Sequence, residues 1–411
     1  MIQLRDYQKS IVEKATEVIQ RNGFVYLAME VRTGKTLTSL SVATKLRAKK
    51  VLFITKKKAI SSIIKDYELL EPSFYLHTIN YESLHKVHYD LDWDVIILDE
   101  AHSMGAFPKP SKRARDVKMR IIKSKAKVIL LSGTPTPESY SQIYHQVYGI
   151  PTNPFSGFPS FYKFAHAHVK ITERMINSLR IRDYSNGLPT IMDKMKPYMI
   201  AYSQKEAGFK VNTTEKVLEV EMEKTTYKLA NELKKHLVIE GKREVILADT
   251  PVKLMMKLHQ LYSGTIKFES GNAEVLDYSK ARFIRSKFKD VKVGIFYKFK
   301  AELKALKEVY GDDITTELSV FEDTDKSIAL QIVSGREGIS LRQAKCLVYY
   351  NIDFSATSYW QSRDRMTTKD RLENDVYWIF SRGGIEKKIY KAVTNKKDYT
   401  LSHFKKDLLS L

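Results

Sequence analysis

Two short clusters of residues near the start of the chain have side chains suited to phosphate chemistry. The first is Gly34-Lys35-Thr36, and the second is the acid pair Asp99-Glu100. A lysine and a hydroxyl at a helix N-terminus can hold phosphate groups and Mg²⁺. In an acid pair, one carboxylate can hold the metal while the other polarises an attacking water. Together the clusters predict a nucleoside triphosphate site.

The acid pair directly follows four apolar residues, Val95 to Leu98. Such a run does not alternate between polar and apolar residues, which favours a central parallel strand covered on both faces. Asp99 and Glu100 are then at its carboxyl end, the edge at which open α/β sheets bind ligands. Taken alone, the pair is equally compatible with surface acids that close a strand.

The lysine cluster has the sequence context of a phosphate loop. Phe24 to Met29 predicts a strand, and a helix follows with apolar residues at Leu37, Leu40, Ala43 and Leu46. The usual motif G-x-x-x-x-G-K-[ST] has a glycine where this chain has Met29. The strand-loop-helix context and the intact Gly34-Lys35-Thr36 still favour the phosphate-loop interpretation over a plain turn.

Two further segments could serve the same site. Leu4 to Gln8 opens an amphipathic helix about 25 residues before the phosphate loop, where the Gln8 amide could pair with adenine. Ser132-Gly133-Thr134 follows a predicted strand, Val128 to Leu131. Small hydroxyl residues at that position could sense the γ-phosphate and relay its presence to a bound polymer.

The composition indicates the class of partner. The chain has 411 residues, 43% of them hydrophobic, and a net charge of +21 with a pI near 9.5. Length and hydrophobicity predict about two globular domains. The excess of cations favours nucleic acid, and no long apolar run or signal peptide supports a membrane instead. The single cysteine, Cys346, excludes an internal disulfide and lies in a predicted strand.

Basic residues concentrate at two places. Lys56-Lys57-Lys58 follows a predicted strand, Val51 to Thr55, and could be a solvated surface or contact a phosphate backbone. Residues 109–127 contain nine cations and only Asp116 in opposition. A solubilising helix is the alternative to a DNA contact there. The candidate nucleic-acid contacts are Lys56, Lys112, Arg113 and Arg115.

The domain organisation follows from repeated strand-helix alternation. We predict a first α/β lobe at residues 1–150, a linker with short helices at 151–214, and a second lobe at 215–411 without a phosphate loop. His166 and His168 in the linker lack the further ligands of a metal site. In the second lobe we predict a long helical region, Thr225 to Leu261, and these strands: Val217 to Met222, Lys292 to Tyr297, Ile328 to Val333 and Cys346 to Tyr350.

The ordered set of motifs resembles a superfamily 2 helicase motor of the Swi/Snf-like branch of DNA translocases. The resemblance covers nearly the whole chain and implies two RecA-like lobes with parallel central sheets flanked by helices, with ATP and nucleic acid at the cleft between them. The segments that carry it are Leu4 to Gln8, Thr33 to Thr36, Ile79 to Leu84, Asp99 to His102, Leu131 to Pro135, Gly294 to Tyr297, Gly338 to Leu341, Tyr359 to Arg365 and Gly384 to Ile389.

The resemblance also implies roles for individual residues. Thr36 and Asp99 would hold Mg²⁺, Glu100 would act as general base, and Arg365 would reach the γ-phosphate. Ser132 and Thr134 would couple the nucleotide to bound DNA. The ATP-binding residues it implies are Arg5, Gln8, Thr33, Gly34, Lys35, Thr36 and Gln361.

Two departures from the family pattern concern the second lobe. The position of a second finger arginine holds Thr368, so Arg363, Lys369 or Arg371 substitutes for it, or Arg365 acts alone. The segment Ser334 to Glu337 lacks part of the family's glycine run.

We therefore expect an ATP-dependent translocase that moves on duplex or branched DNA, for branch migration, reannealing or displacement of bound protein. A conventional strand-separating DNA or RNA helicase is the alternative among enzymes. An ATP-gated nucleic-acid binding protein without turnover is the alternative of another class. We expect a monomeric motor with DNA as partner rather than RNA or membrane, in the cytoplasm of a bacterial or phage-infected cell.

Overall fold

The computed structural model describes residues 3–88, 91–176, 179–208, 212–241, 244–332, 341–363, 366 and 373–395. The chain divides into two compact units, Met1–Phe209 and Lys210–Leu411. Of the segment 151–214, where we predicted a linker with short helices, residues 151–208 are part of the first unit.

The first unit is built on a parallel sheet. Along β4 (Val95–Leu98), Val95 and Ile97 pack into one hydrophobic cluster while Ile96 and Leu98 pack into another. Both faces of the strand are therefore covered, as the continuous apolar run predicted. The other strands of the sheet are β1 (Phe24–Met29), β2 (Lys50–Thr55), β3 (Tyr75–Asn80), β5 (Lys127–Leu131) and β8 (Met199–Tyr202). In the described part of the chain their order is β3-β2-β4-β5-β1-β8. A separate antiparallel pair is formed by β6 (Thr172–Ile176) and β7 (Leu179–Asp183).

Helices cover this sheet. In α1 (Asp6–Asn22) the apolar side chains of Ile11, Val12, Ala15 and Ile19 are buried and Val18 is half-buried. The helix ends at Gly23, whose φ of 75° suits glycine. Its apolar stripe packs with the core formed by Val25, Leu27 and their neighbours. The remaining helices are α2 (Lys35–Lys45), α3 (Ile60–Leu70), α4 (Lys112–Ser124), α5 (Ile143–Val147), α6 (Phe161–His168) and α7 (Thr190–Met195).

The second unit repeats the design. Its sheet contains the strands β9 (Asn212–Val220), β14 (Val293–Tyr297), β15 (Ile314–Thr315), β16 (Ser327–Gln331), β17 (Cys346–Tyr349) and β18 (Glu373–Ser381). These described strands are parallel, in the order β15-β16-β14-β17-β18-β9, and Cys346 is buried at the start of β17. Two antiparallel pairs are β10 (Val238–Glu240) with β11 (Val245–Leu247) and β12 (Thr265–Lys267) with β13 (Ala273–Val275).

The prediction of a continuous helical region from Thr225 to Leu261 is wrong, because this segment forms two helices separated by a β-hairpin. The first helix, α8 (Lys224–His236), ends at Leu237, whose φ is 61°. The β10-β11 hairpin follows before α9 (Pro251–Tyr262) begins. Short β-branched runs at Val238-Ile239 and Val245-Ile246 favour this extended pairing. The later helices are α10 (Ser279–Lys287), α11 (Lys300–Tyr310), α12 (Leu318–Asp323), α13 (Ala356–Arg363) and α14 (Glu386–Thr394).

The predicted α/β class, with two parallel sheets flanked by helices, is confirmed. Each sheet places the ends of its strands at one edge, so residues that are distant in sequence meet there. None of the helices in the described ranges has the length and apolar character needed to cross a bilayer.

Candidate active site

The phosphate loop joins β1 to α2. Gly34 caps the helix with a φ of 80°, and Lys35 is its first residue. The Lys35 ammonium donates to the carbonyl oxygens of Met29 at 3.0 Å and Glu30 at 3.3 Å. Thr36 is the next residue of the helix, so its hydroxyl lies beside the backbone N–H groups of the first turn, a position at which helices commonly bind anions.

Met29 departs from the usual motif without disturbing the loop. It is the last residue of β1, its φ is not positive, and its side chain is fully buried in the core. Glycine is needed where the backbone has a positive φ or where another group approaches closely. The Met29 backbone does not have a positive φ and its side chain is enclosed in the core, so methionine is accommodated at this position.

The predicted adenine motif lies against this loop. The Gln8 amide accepts a hydrogen bond from the Arg5 N–H at 2.9 Å, and its Nε2 lies 3.5 Å from the Gly34 carbonyl oxygen. The positive φ of Gly34 disfavours any other residue there, and an added Cβ would lie 2.2 Å from Gln8 Nε2, so the Gln8 side chain would also have to move. Tyr7 also donates to the Thr33 carbonyl at 3.1 Å. Arg5 itself is exposed at the start of α1.

The acid pair leaves the carboxyl end of β4, as predicted. Asp99 Oδ2 accepts a hydrogen bond from the Thr55 hydroxyl at 2.7 Å. Burial and the neighbouring Glu100 carboxylate raise the pKa of Asp99 to about 6, although Thr55 and the Lys35 charge act in the opposite direction. Glu100 has a left-handed backbone with a φ of 49°, and its side chain is 17% exposed.

A chain of polar contacts joins the acid pair to the Ser132–Thr134 turn. The buried His102 Nδ1 lies 3.2 Å from Glu100 Oε2 and 2.9 Å from the Ser132 hydroxyl. That hydroxyl accepts the backbone N–H of Thr134 at 3.1 Å. A Cβ on Gly133 would lie 3.4 Å from the Met29 carbonyl oxygen, so the turn also adjoins the phosphate loop. The structure thus brings the predicted coupling residues to the acid pair.

The oxygen donors present suit Mg²⁺. A carboxylate from Asp99 and a hydroxyl from Thr36 are hard ligands, and Mg²⁺ in nucleotide sites takes its other ligands from phosphates and water. Among the described residues, no group of three or more His, Cys, Asp and Glu side chains could hold a metal alone.

Two residues beside the phosphate loop, Tyr202 and Gln204, were not predicted from the sequence. Tyr202, the last residue of β8, stacks on Tyr7 with ring centroids 4.7 Å apart. Gln204 donates from its backbone to the Glu30 carboxylate at 2.7 Å and from its side chain to the Val31 carbonyl at 3.0 Å. Both depend on the pairing of β8 with β1, for which the sequence carried no local signal.

The predicted site residues of the second unit are less fully described. Gln361 lies in α13, and its side chain is outside the described set. Arg363 forms an ion pair with Glu215 at 2.9 Å. The predicted residues outside the described ranges are Ser334 to Glu337, Gly338 to Ser340, Arg365, Thr368, Lys369 and Arg371.

The predicted basic stretch forms α4, and its cations differ in environment. Lys112 and Arg115 are exposed, whereas Arg113 pairs with Glu82 and lies 5.8 Å from the centre of the Tyr81 ring. Arg120 is only 2% exposed and donates to the carbonyl oxygens of Leu84 and Val87. Arg120 therefore holds the fold together and does not belong with the surface cations.

The lysine triplet lies at the same sheet edge as the acid pair. Lys56 is half-buried after β2 and begins the short turn Lys57–Ala59. Lys57 and Lys58 are exposed. Because β2 pairs with β4 in parallel, the triplet and the acid pair follow neighbouring strand ends.

Two protein-family models match parts of this chain. The model described as SNF2-related domain matches residues 51–265, and the model described as type III restriction enzyme, res subunit, matches residues 1–86. The Sulfolobus solfataricus SWI2/SNF2 ATPase core in complex with dsDNA is 15% identical, with a TM-score of 0.43, over 98% of this chain and 92% of that chain. The same organism's SWI2/SNF2 ATPase core domain is 15% identical, with a TM-score of 0.43, over 96% and 89%. No curated protein matches the chain.

Proposed function

Because this chain belongs to the SNF2-related family, whose members are nucleic-acid-dependent ATPases, we propose that it uses ATP hydrolysis to move along duplex or branched DNA. The family match confirms the resemblance predicted from the motifs. Membership makes the chain a nucleic-acid-dependent ATPase. Movement on DNA, and its use in branch migration, reannealing or protein displacement, is the further step proposed here.

In this proposal the first unit binds ATP and Mg²⁺. Gln8 pairs with adenine, Lys35 and the first turn of α2 hold the phosphates, and Thr36 and Asp99 hold the metal. Bound Mg²⁺ supplies positive charge that offsets the charge on the phosphates. Glu100 then accepts a proton from the attacking water, as a general base must lie beside the proton it removes.

The observation that carries the proposal is the contact chain from Glu100 through His102 to Ser132 and Thr134. A motor needs a physical link between the catalytic base and a segment that can change contacts when the γ-phosphate leaves. In the described residues, the buried Thr134 hydroxyl has no hydrogen-bond partner. The Thr134 hydroxyl could therefore gain a hydrogen-bond partner at one stage of ATP turnover and lose it at another.

The proposed DNA contacts are to the phosphate backbone. The chain carries a net charge of +21, and Lys112 and Arg115 are exposed on α4. A motor that steps over any sequence gains from backbone contacts, which carry no sequence information directly. We therefore expect affinity to depend strongly on salt and little on base sequence.

Triplex displacement tests the proposed movement directly. We expect the protein to displace a third strand from duplex DNA when ATP is present, and to leave the strands of that duplex paired. Separation of a forked duplex without triplex displacement would favour the conventional helicase. Displacement of the third strand without ATP would contradict the proposal that ATP hydrolysis drives movement along DNA.

Replacing Gln8 by Ala should raise the KM for ATP about tenfold, the loss expected when a site's hydrogen bonds to a base are removed. The change should affect kcat little, because the Gln8 side chain contacts Arg5 and Gly34 and has no hydrogen bond to the acid pair among the described contacts. Steady-state ATP hydrolysis at saturating DNA measures both constants. Lys9→Ala, at an exposed neighbouring position, is the control. An unchanged KM would remove Gln8 from the adenine site.

Replacing both Lys112 and Arg115 by Ala should weaken duplex binding and reduce its dependence on salt. The plot of log K against log salt concentration has a negative slope, and each lost phosphate contact should reduce the magnitude of that slope by about 0.9. Fluorescence anisotropy over a salt series measures the slope. The double replacement of Lys9 and Lys14, two exposed cations of α1, removes equal charge elsewhere. Equal slopes for the two double variants would assign α4 a solubilising role.

A further inference from the structure

A single carboxylate in the second unit collects four side-chain donors. Glu215 lies on β9. The Tyr359 hydroxyl lies 2.8 Å from both carboxylate oxygens of Glu215 and donates its hydrogen bond to them. Arg363 Nη1 lies 2.9 Å from Glu215 Oε1. Trp378 Nε1 and the Tyr390 hydroxyl donate to Oε2 at 2.9 and 3.1 Å. One side chain thus connects β9, α13, β18 and α14.

These contacts are sheltered from water. The side chains of Glu215 and Arg363 are 14% and 19% exposed, and the Tyr359 ring stacks on Trp378 with centroids 5.3 Å apart. Charged pairs in such surroundings are costly to break, because removal of one partner leaves the other desolvated. The carboxylate therefore restrains the positions of all four donors.

Helix α13 is also held at its other end. The Ser358 hydroxyl donates to Asp353 Oδ2 at 2.8 Å, and Asp353 pairs with Lys298 at the end of β14. Near the middle of the sheet, the Tyr349 hydroxyl donates to Ser362 at 2.6 Å. The helix is consequently fixed to β17, to the end of β14 and, through Glu215, to β9.

We propose that Glu215 is a positioning residue for ATP hydrolysis. It holds α13 in place and forms an ion pair with Arg363. The inference rests on the proposed function, because α13 carries the segment that resembles the family's arginine motif. It also resolves one alternative left by the sequence. Arg363 is a structural partner of Glu215, so it is not the cation that substitutes at the γ-phosphate.

Glu215→Gln tests this role. The amide keeps the size of the side chain but has one acceptor oxygen and no charge, so the ion pair between residue 215 and Arg363 is lost. We expect kcat for DNA-stimulated hydrolysis to fall at least about tenfold, since small misplacements of a catalytic element have effects of this size. The KM for ATP should change less than about threefold, because the residues that bind the base and phosphates lie in the first unit.

The matched control is Glu219→Gln. Glu219 lies on the same strand, four residues later, and forms an ion pair with Lys387 at the start of α14. Its side chain is 32% exposed, so an exposed pair is lost instead of a sheltered one. We expect wild-type kcat. For every variant, rates are divided by the number of sites that bind a non-hydrolysable ATP analogue, which removes any effect of unfolded protein.

A double variant separates the two possible roles of Arg363. If it is a structural partner, Glu215→Gln combined with Arg363→Gln removes both charges together, and kcat should exceed that of either single variant. If Arg363 faced the γ-phosphate, the double variant would be no faster than Arg363→Gln alone, which would overturn the inference. Tyr359→Phe, which deletes one donor, replaces Glu215→Gln if that variant does not fold, and should lower kcat several-fold.

The remaining outcomes are also decisive. Wild-type kcat per site in Glu215→Gln would overturn the positioning role while DNA-stimulated hydrolysis by the wild type still supported the proposed function. A wild-type protein that does not hydrolyse ATP would overturn both.

Discussion

Lys35→Ala is expected to abolish ATP turnover while duplex DNA affinity is largely kept. The ammonium lies at the start of α2 and bridges the carbonyl oxygens at the end of β1, where it can hold phosphates through the transition state. Loss of one such electrostatic contact costs at least about 10² in kcat. Phosphate release assays measure turnover, and fluorescence anisotropy measures binding to duplex DNA.

Lys45→Ala is the matched control for this experiment. Lys45 ends the same helix and forms an exposed ion pair with Glu13, so its removal changes the charge but not the phosphate loop. We expect normal turnover in that variant. If Lys35→Ala kept wild-type turnover, the assignment of the phosphate loop would be wrong.

Glu100→Gln should bind ATP without hydrolysing it. The carboxylate lies next to His102 and directly after Asp99, and the amide cannot accept a proton from water. Loss of a general base lowers the rate by about 10² to 10⁴. Binding of labelled ATP on a filter measures retention, and single-turnover hydrolysis measures the chemical step.

The comparison variant is Glu68→Gln, an exposed position on α3, which should behave as the wild type. Normal single-turnover hydrolysis in Glu100→Gln would exclude Glu100 as the base. Loss of ATP binding in that variant would instead assign Glu100 to nucleotide binding.

The sequence was most informative where its pattern was local. The continuous apolar runs of β1 and β4 fixed the strand bounds, which match the predictions for Phe24–Met29 and Val95–Leu98. Their shared direction then placed the phosphate loop and the acid pair at one sheet edge. Even Met29 has a local explanation, because its side chain belongs to the core and its backbone does not need glycine.

Contacts between distant segments could not be predicted. Gln204 reaches the phosphate loop because β8 joins the edge of the first sheet beside β1, and no residue near it signals that pairing. Glu215 seemed an ordinary strand acid until the fold brought α13, β18 and α14 to it. Similarly, Arg120 belonged to a basic run, and only tertiary packing distinguishes its buried guanidinium from the exposed cations.

The β10-β11 hairpin shows a different limit. Helical periodicity continues on both sides of it, so the interval from Thr225 to Leu261 resembled one helical region. The two strands have only three residues each, which is too short for a clear alternating pattern. Stabilisation of so short a pair depends on packing against the rest of the unit.

The most direct test of the account is ATP hydrolysis by the pure protein with no polymer, single-stranded DNA, duplex DNA, a four-way junction and structured RNA, at matched nucleotide concentrations. We expect duplex or junction DNA to stimulate hydrolysis strongly. Stimulation by single strands or RNA alone would contradict translocation on duplex DNA and favour a conventional helicase. No hydrolysis with any polymer would contradict the motor itself and leave an ATP-gated binding protein.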